Sequence, residues 1–425
     1  MILHMDLDTF FVSAHRTQDN NLHNRPVAVG GRSNLKLFEK KKVDIKLYNA
    51  NTGAFVNPVF YNDRQSDFQN FFVEHMQNGL EKIRGIVVTS SYEARAKGVK
   101  TGMPLAQALQ LCPDMVVLVP DYLLYYDLSH RLHLFLQKEL PSIEQFSIDE
   151  FFADLNGWIA PEEVFAYAEH LKLLIWEKFR LPISIGISPA KWIAKLATKF
   201  AKPDGVYMVQ KEDIPSFIEN VPVKSFPGIG RGYAKRLEKY FIYTLGEASR
   251  HKALFYSWKK PGKVLYNRII GTDHEGISKS TDRKSIGISR TFDPICDKEE
   301  VLRRIMILSR YIVFLVFRHQ VNPTTYYLKV GSDTGMRYKN YMTIDRLFSE
   351  QLCKQVFQKL FYTMDEQLGC ITKITMSVRN FTYQKRASLS LLEFSGDYMQ
   401  KRLSLSLHTL REKYSLDIVK NGNEL

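Results

Sequence analysis

At 425 residues the chain is too long for one average domain, and we expect two to four domains. Hydrophobic residues make up 45% of the sequence and aromatic residues 12%, which is ample for packed cores. The formal charge of +14, from 59 basic and 45 acidic residues, favours a polyanionic partner, with nucleic acid ahead of a membrane surface. A soluble protein that is simply basic is the alternative, because charge alone does not exclude it.

The cysteines, the N-terminus and the hydropathy favour a reducing, cytoplasmic setting. The sequence predicts neither a zinc ribbon nor a disulfide framework, because no C-x-x-C pair occurs among Cys112, Cys296, Cys353 and Cys370. The N-terminus runs straight into a strand without a basic leader, so we expect no signal peptide. No stretch approaches a membrane span of ~20 apolar residues, so we expect no membrane contact.

The first 208 residues alternate between predicted strands and helices, which indicates an α/β or α+β core. The predicted strands are 1–7, 26–31, 86–90, a pair within 143–155, and 183–187. The predicted helices are 9–17 with Thr9 as a cap, one from Tyr92, 104–111, 122–138, 161–179, and 189–200 with Ser188 as N-cap and Pro189 at its first position. Residues 32–84 begin lysine-rich and continue with aromatic residues at helical spacing, which predicts a folded insertion.

The second half of the chain reads as a helical segment followed by another α+β domain. Residues 209–280 are mostly helical and basic, and 281–285 form a polar, charged joint. The later elements are a strand from 286, a helix at about 298–319, strands at 324–331 and 336–344, a helix at 349–363, a strand at 371–383 and a tail helix at 397–414.

Two short acidic clusters lie far apart, each among strand-forming residues. The first is Met5–Phe11, with Asp6 and Asp8, and the second is Phe146–Phe152, with Asp149 and Glu150. Carboxylates are costly to bury unpaired in apolar surroundings. Magnesium binds through few protein carboxylates and leaves positions for substrate phosphates. The clusters therefore favour a two-metal site for phosphoryl transfer over solvated surface turns.

Residues Ser91–Ala96 lie where a predicted strand meets a helix N-terminus, a place that favours anions. The Tyr92 hydroxyl and the Arg95 guanidinium, one turn apart, suit a polyphosphate. An ordinary capped helix with an exposed arginine explains the spacing equally well.

The helix after Pro189 has one basic face and one apolar face. At about 100° per residue, the basic face holds Lys191, Lys195, Lys199 and Lys202, and the apolar face holds Ile193, Leu196, Ala197 and Phe200. Such a stripe is usually a solvated face, but here we predict that it faces phosphates. Pro203 breaks the chain and places Lys202 at the helix end.

The segment Val223–Gly230 resembles the hairpin of a helix-hairpin-helix element. Gly228 and Gly230 would let backbone amides approach a DNA phosphate without an intervening side chain. Arg231 opens the basic helix that follows. An ordinary tight turn is the alternative.

These segments occur in the order and spacing of Y-family translesion DNA polymerases, and the chain resembles the DinB, or polymerase IV-like, branch. The matching segments are M-D-L-D-T-F-F, S-Y-E-A-R, S-I-D-E, G-I-S-P-A-K-W-I-A-K-L-A, A-K-P-D-G, P-G-I-G and R-K-S-I-G. They span residues 1–31 and 85–292, and the later domain fits in pattern only. The UmuC branch usually has Asn where this chain has Asp8, and it lacks the Y-E-A-R motif. Both differences favour the DinB branch.

The resemblance implies an α+β multidomain, right-hand architecture. Its parts would be a palm at 1–10 and 104–208, fingers at 11–103 with an insertion at about 33–84, a helix-hairpin-helix thumb at 209–280, a linker at 281–285, a little-finger domain at 286–384 and a tail at 385–425.

The resemblance also implies a low-fidelity, template-directed DNA polymerase without proofreading that acts in DNA damage tolerance and repair. Asp6, Asp149, Glu150 and the Leu7 carbonyl would hold two Mg²⁺ ions. The incoming deoxynucleoside triphosphate would be bound by Thr89, Tyr92, Arg95 and Lys202. Phe11 would be the steric gate against a 2′-hydroxyl, whereas Phe10 packs in the core. The expected contacts to primer-template DNA are Lys191, Lys195, Gly228, Gly230, Arg231, Arg283 and Lys284.

The chain departs from the family pattern at the insertion and in the C-terminal tail. We expect the insertion to be a surface decoration, because most loop insertions are tolerated at the surface. Residues Ala387–Phe394 are similar to peptides that bind the sliding clamp but lack the usual leading Gln, and an amphipathic strand or linker is the alternative. We expect a monomer.

Two other functions remain alternatives to a polymerase. One is another two-metal enzyme, such as a nucleotidyl cyclase or nuclease, and the other is a non-catalytic DNA-binding scaffold.

Overall fold

A computed structural model describes residues 1–31, 35–38, 46–47, 60–61, 85–278, 283–364, 369–382 and 393–424. The chain divides into two compact units. Of the described residues, unit 1 contains 1–31 and 85–278, and unit 2 contains 35–38, 46–47, 60–61 and those from 283 onward. None of the helices in the described ranges combines the length and hydropathy needed to cross a membrane.

The elements are numbered here in chain order. The strands are β1 (Ile2–Leu7), β2 (Val27–Gly31), β3 (Lys46–Leu47), β4 (Phe60–Tyr61), β5 (Ile86–Ser90), β6 (Val116–Leu118), β7 (Ile143–Gln145), β8 (Glu150–Asp154), β9 (Ile183–Ser188), β10 (Val206–Met208), β11 (Ser285–Ile295), β12 (Asn322–Ser332), β13 (Arg337–Thr343) and β14 (Ile371–Thr382). The helices are α1 (Phe10–Arg16), α2 (Tyr92–Ala96), α3 (Leu105–Leu111), α4 (Tyr122–Glu139), α5 (Val164–Phe179), α6 (Lys191–Ala201), α7 (Ile214–Ile218), α8 (Arg231–Glu238), α9 (Leu245–Ser249), α10 (Lys252–Ser257), α11 (Lys259–Ile269), α12 (Lys298–Arg318), α13 (Glu350–Tyr362) and α14 (Phe394–Lys413).

A five-stranded sheet forms the centre of unit 1, in the order β10-β9-β1-β8-β7. Its neighbouring strands are antiparallel except for β9 and β10. β1 and β9 are almost entirely buried, although β1 contains His4 and Asp6 and β9 alternates isoleucine with serine or glycine, so their burial on both faces could not be inferred from an unbroken apolar run. A second sheet, in the order β5-β2-β6, packs its own small core with α2 and α3.

The starts of α1 and α6, which follow β1 and β9 of the five-stranded sheet, differ from the prediction. Thr9 precedes α1 in a left-handed conformation (φ 45°), and its side chain caps no backbone group. Its hydroxyl contacts Ser13 Oγ at 3.2 Å instead. α6 begins at Lys191 with Ala190 as N-cap, because Ser188 is still paired within β9 and so cannot cap the helix.

The helices α7 to α11 share one apolar core with the inner face of α6. Ile193, Leu196 and Ala197 are completely buried in that core, as predicted for the apolar face of the helix. Phe200, predicted on the same face, is 49% exposed, so the prediction is wrong for the last turn of the helix. The hairpin before α8 leaves Gly228 and Gly230 exposed. Gly228 has φ +98°, a conformation that side-chain-bearing residues rarely adopt, so glycine is needed there.

Unit 2 is built on an antiparallel sheet in the order β11-β14-β12-β13, with α12 and α13 packed on it. Leu37 and Phe38 lie in the same buried core. The Phe38 ring packs edge-on to Phe292, and Arg303 Nη2 donates to the Phe38 carbonyl at 2.8 Å. The expectation that the insertion is a surface decoration is therefore wrong for residues 35–38. The aromatic residues predicted to form its helix lie outside the described residues.

Unit 2 also contains a disulfide between Cys296 and Cys370, although the sequence predicted no disulfide framework. The two residues are separated by 74 positions, but pairing of Ile295 with Ile371 between β11 and β14 makes them neighbours. Sequence spacing gives no sign of such a pair. Cys112 and Cys353 are free and buried.

The C-terminal residues form part of unit 2 through buried ion pairs. Arg310 Nη1 is 2.8 Å from Asp417 Oδ1, and Arg310 Nε is 2.9 Å from Glu424 Oε2. Glu350 pairs with Arg411 at 2.6 Å and with Lys354 at 2.8 Å. The predicted clamp-binding segment lies outside the described residues except for its last two positions, and Phe394 is exposed at the start of α14.

Candidate active site

The central sheet of unit 1 brings the two acidic clusters together. Asp6 on β1 is the register partner of Glu150 on β8. The Leu7 N–H donates to the Asp149 carbonyl at 3.0 Å, which holds the turn before β8 beside the end of β1. Three carboxylates from distant segments therefore lie at one end of adjacent strands.

Burial governs the electrostatics of this cluster. It raises the pKa of Asp6 to about 6 despite the Lys202 ammonium, and the charges of Asp149 and Glu150 add to the rise. Burial also raises the pKa of Asp149, although the Ser147 hydroxyl donates to its Oδ1 at 2.8 Å and opposes this effect. The cluster consequently favours a nearby positive charge.

Lysine ammonium groups lie against two of these carboxylates. Lys202 Nζ is 2.7 Å from Asp6 Oδ1, and Lys195 Nζ forms an ion pair with Glu150. In the described ranges, no three acidic, histidine or cysteine side chains are gathered as a ready metal site. The donors nevertheless suit magnesium in kind, because the carboxylates and the Leu7 carbonyl offer hard oxygen ligands.

Two of the predicted nucleotide-binding residues, Tyr92 and Lys202, contact aspartates at the end of β1. Tyr92, on α2, donates its hydroxyl to Asp8 Oδ1 at 2.8 Å. The exposed Arg95 lies with its guanidinium 5.3 Å from the Tyr92 ring centroid, and Arg95 Nε donates to the Ser90 carbonyl. Thr89 is half-buried on β5, three residues before α2. Lys202 follows α6 directly, as predicted from Pro203.

Phe10 and Phe11 occupy different environments at the start of α1. Phe10 is buried, as predicted for a core residue. Phe11 is only half-buried and stacks on Tyr125, with ring centroids 4.1 Å apart and an interplanar angle of 7°. Its ring is therefore held in a fixed orientation, which a steric gate requires.

The predicted DNA contacts are distributed unevenly. Gly228, Gly230 and Arg231 are exposed at the hairpin of unit 1. In unit 2, Lys284 is exposed and Arg283 is half-buried.

Lys191 and Lys195 do not form the open basic stripe that the helical pattern predicts. Lys191 is 3% exposed and donates to Glu144 Oε2 at 2.7 Å, so its prediction as a DNA contact is wrong. Lys195 faces Glu150 inside the site. A helical period identifies which residues share a face but not what that face meets.

Sequence reasoning missed the role of Asp8, which is 1% exposed. Besides Tyr92, it accepts hydrogen bonds from the Ser184 hydroxyl and the Asp204 N–H, each at 2.7 Å. The available signal was its place two residues after Asp6 at the end of a buried strand, where a carboxylate needs several donors.

Two family models match most of the chain. The impB/mucB/samB family model matches residues 5–199, and the model of that family's C-terminal domain matches residues 283–391. DNA polymerase IV 1 of Bacillus subtilis (strain 168) is 26% identical over 438 residues, covering 100% of this chain and 93% of that protein. DNA polymerase IV of Staphylococcus epidermidis is 28% identical over 313 residues, covering 72% and 74% respectively.

Solved structures share the fold. A Y-family DNA polymerase chimera of Dbh and Dpo4 matches with a TM-score of 0.69 at 19% identity, over 90% of this chain and 99% of that one. DinB from Sulfolobus solfataricus matches over the same shares with a TM-score of 0.52 and 19% identity. The fold is that of the Y-family DNA polymerases, and the predicted α+β multidomain class is confirmed. The chain belongs to the impB/mucB/samB family, and its predicted DinB-like character is confirmed.

Proposed function

We propose that this protein is a translesion DNA polymerase that adds deoxynucleotides to a primer 3′-hydroxyl under the direction of a template. The observation that carries the proposal is the register of Asp6 opposite Glu150, with Asp149 beside them and Lys202 within 2.7 Å of Asp6. This arrangement combines carboxylates for cations with a lysine for phosphate. The relatives named DNA polymerase IV support the same activity.

Asp6, Asp149, Glu150 and the Leu7 carbonyl would hold two Mg²⁺ ions. When bound, these ions lower the pKa of the primer hydroxyl and neutralise charge on the triphosphate and the leaving pyrophosphate. The protein's own contribution is mainly to position the reacting groups and to stabilise charge.

The triphosphate would be held by side chains from both flanks of the site. Arg95 is exposed and offers a planar pair of donors, which suits phosphate oxygens. Lys202 would exchange Asp6 for a phosphate, and Tyr92 would donate its hydroxyl, with Thr89 beside them. Phe11, held flat against Tyr125, would leave no room for a 2′-hydroxyl and so select deoxynucleotides.

We propose that the domain organisation of the chain follows that of the family. The palm would be residues 1–10 and 104–208, the fingers 11–103 and the thumb 209–280. The little-finger domain would be 286–384. We propose that the hairpin glycines, Arg231, Arg283 and Lys284 contact primer-template DNA, that synthesis is of low fidelity without proofreading, and that it serves damage tolerance.

A primer-extension assay with each single deoxynucleotide and Mg²⁺ tests the proposal. Asp149→Asn should abolish addition while DNA binding is retained, and Asp154→Asn, on the same strand β8 but outside the cluster, should extend normally. DNA affinity should fall steeply with salt, because phosphate contacts release counterions. Shortened primers would instead indicate a nuclease. Bound but unextended DNA with the unaltered protein would favour a scaffold.

A further inference from the structure

The acidic residue that the metal site leaves unused lies between the residues proposed to bind the triphosphate. Asp8 is 1% exposed, and each of its carboxylate oxygens has donors. Oδ1 accepts the Tyr92 hydroxyl at 2.8 Å, and Oδ2 accepts the Ser184 hydroxyl and the Asp204 N–H at 2.7 Å each. The carboxylate thereby joins α2, β9 and the turn that follows Lys202.

We propose that Asp8 is the positioning residue of the nucleotide site, which sets the distance between Tyr92 and the Lys202 turn before the triphosphate arrives. This inference rests on the proposed polymerase function. Asp8 does not itself contact the substrate, and it acts through Tyr92, through the backbone of Asp204 and through the Lys202 ammonium, which lies 3.7 Å from Asp8 Oδ1.

The effect of Asp8 depends on which acceptor receives the hydrogen bond from the Tyr92 hydroxyl. Burial, followed by the Asp8 carboxylate, raises the pKa of Tyr92, so the hydroxyl keeps its proton. A phenol has one proton to donate, and it is given to Asp8 Oδ1. Binding of a phosphate by Tyr92 therefore requires this proton to turn from Asp8 to the phosphate oxygen. Throughout that change, the two donors on Oδ2 keep the Lys202 turn in place.

Single-nucleotide addition kinetics on a primed template test the assignment. Asp8→Ala removes three charge-assisted hydrogen bonds and should raise the nucleotide KM at least about tenfold, with a much smaller change in kcat. Ser184→Ala removes one donor, keeps the carboxylate and should change KM less than about threefold. An unchanged KM in a folded Asp8→Ala variant would overturn the proposal.

Asp8→Asn keeps the shape and gives a second test that does not depend on the alanine variant folding. Its amide oxygen can accept from Ser184 and Asp204, and its NH₂ group can donate to the Tyr92 oxygen. This arrangement frees the Tyr92 proton for the phosphate. Activity should therefore be retained, with a nucleotide KM equal to or below that of the unaltered protein.

Tyr92→Phe is also measured alone and combined with Asp8→Asn, which completes a double-mutant cycle. Because asparagine frees the phenolic proton, Tyr92→Phe should raise the nucleotide KM more in the Asn background than in the Asp background. Equal effects in the two backgrounds would show that Asp8 and Tyr92 act independently and would overturn the proposal. Absence of any nucleotide addition by the unaltered protein would instead contradict the polymerase function itself.

Discussion

Replacing Lys191 with methionine measures what the buried ion pair behind the active site contributes. Lys191 Nζ lies 2.7 Å from Glu144 Oε2 and 3.3 Å from the Gly276 carbonyl, and its side chain is 3% exposed. Methionine keeps an apolar stem of similar length, so the change removes mainly the charge. Glu144, itself only 12% exposed, loses its cation.

Loss of one partner from a buried pair costs about 3–5 kcal/mol. Glu144 keeps the Ser278 N–H as a donor at 2.6 Å, so we expect the lower end, about 3 kcal/mol, for Lys191→Met. Urea unfolding followed by tryptophan fluorescence measures the loss, since Trp192 is the next residue.

The matched control is Lys224→Met, because Lys224 is 68% exposed and also pairs with a glutamate at 2.7 Å. An exposed pair contributes at most about 1 kcal/mol, so this variant should remain close to the unaltered protein. At urea concentrations too low to unfold it, Lys191→Met should bind DNA as tightly as the unaltered protein. Weaker DNA binding with unchanged stability would refute the buried-pair argument and return Lys191 to the DNA interface.

Three further substitutions test individual side chains. Phe11→Ala should let ribonucleotides enter, because it removes the ring stacked on Tyr125, and the ratio of ribonucleotide to deoxynucleotide kcat/KM measures this; an unchanged ratio would remove the gate assignment. Lys202→Ala should mainly raise the nucleotide KM, and a change confined to DNA affinity would place Lys202 on the duplex instead. Phe241→Gly should stabilise unit 1 by roughly 0.5–1 kcal/mol in urea unfolding, because Phe241 is 78% exposed and held at φ 57°; destabilisation would show that its ring makes a contact worth more than the strain.

The residues of the site could be predicted from the sequence because their motifs are local. D-x-D and D-E each end or begin a strand, and the strand-forming residues around them predict that placement. Their meeting could not be derived from periodicity, since the register of Asp6 with Glu150 depends on long-range pairing of β1 with β8. For that step, only the resemblance to a known family supplied the answer.

The errors share a cause, which is that local patterns do not show what lies opposite a residue. Lys191 fits an exposed helical stripe until Glu144 is placed against it. Ser188 fits an N-cap until β1 pairs with β9 through it. Cys296 and Cys370 become neighbours only when β11 pairs with β14.

The buried ion pairs of unit 2 predict how its stability responds to acid. Glu350 is 4% exposed, and burial alone would raise the pKa of its carboxyl. The Arg411 hydrogen bonds and the Lys354 charge outweigh burial and lower the pKa below its ordinary value of 4.5. The stabilisation from these pairs is therefore complete above about pH 4.5 and is lost as the pH falls through the lower, folded-state pKa.

Glu350→Gln separates this contribution from general acid unfolding. At neutral pH it should destabilise the protein by about 3 kcal/mol, because Arg411 and Lys354 lose a buried partner. Between pH 5 and pH 3 its stability should then fall less steeply than that of the unaltered protein, because the titrating carboxyl is gone. Glu412→Gln is the matched control at an exposed position on α14, and it should cost at most about 1 kcal/mol at neutral pH because its ion pair with His408 lies at the surface. If the free energy of unfolding fell with pH at the same rate in the unaltered protein and in Glu350→Gln, the lowered pKa would be contradicted. A carboxyl with the same pKa in the folded and unfolded states contributes nothing to that slope.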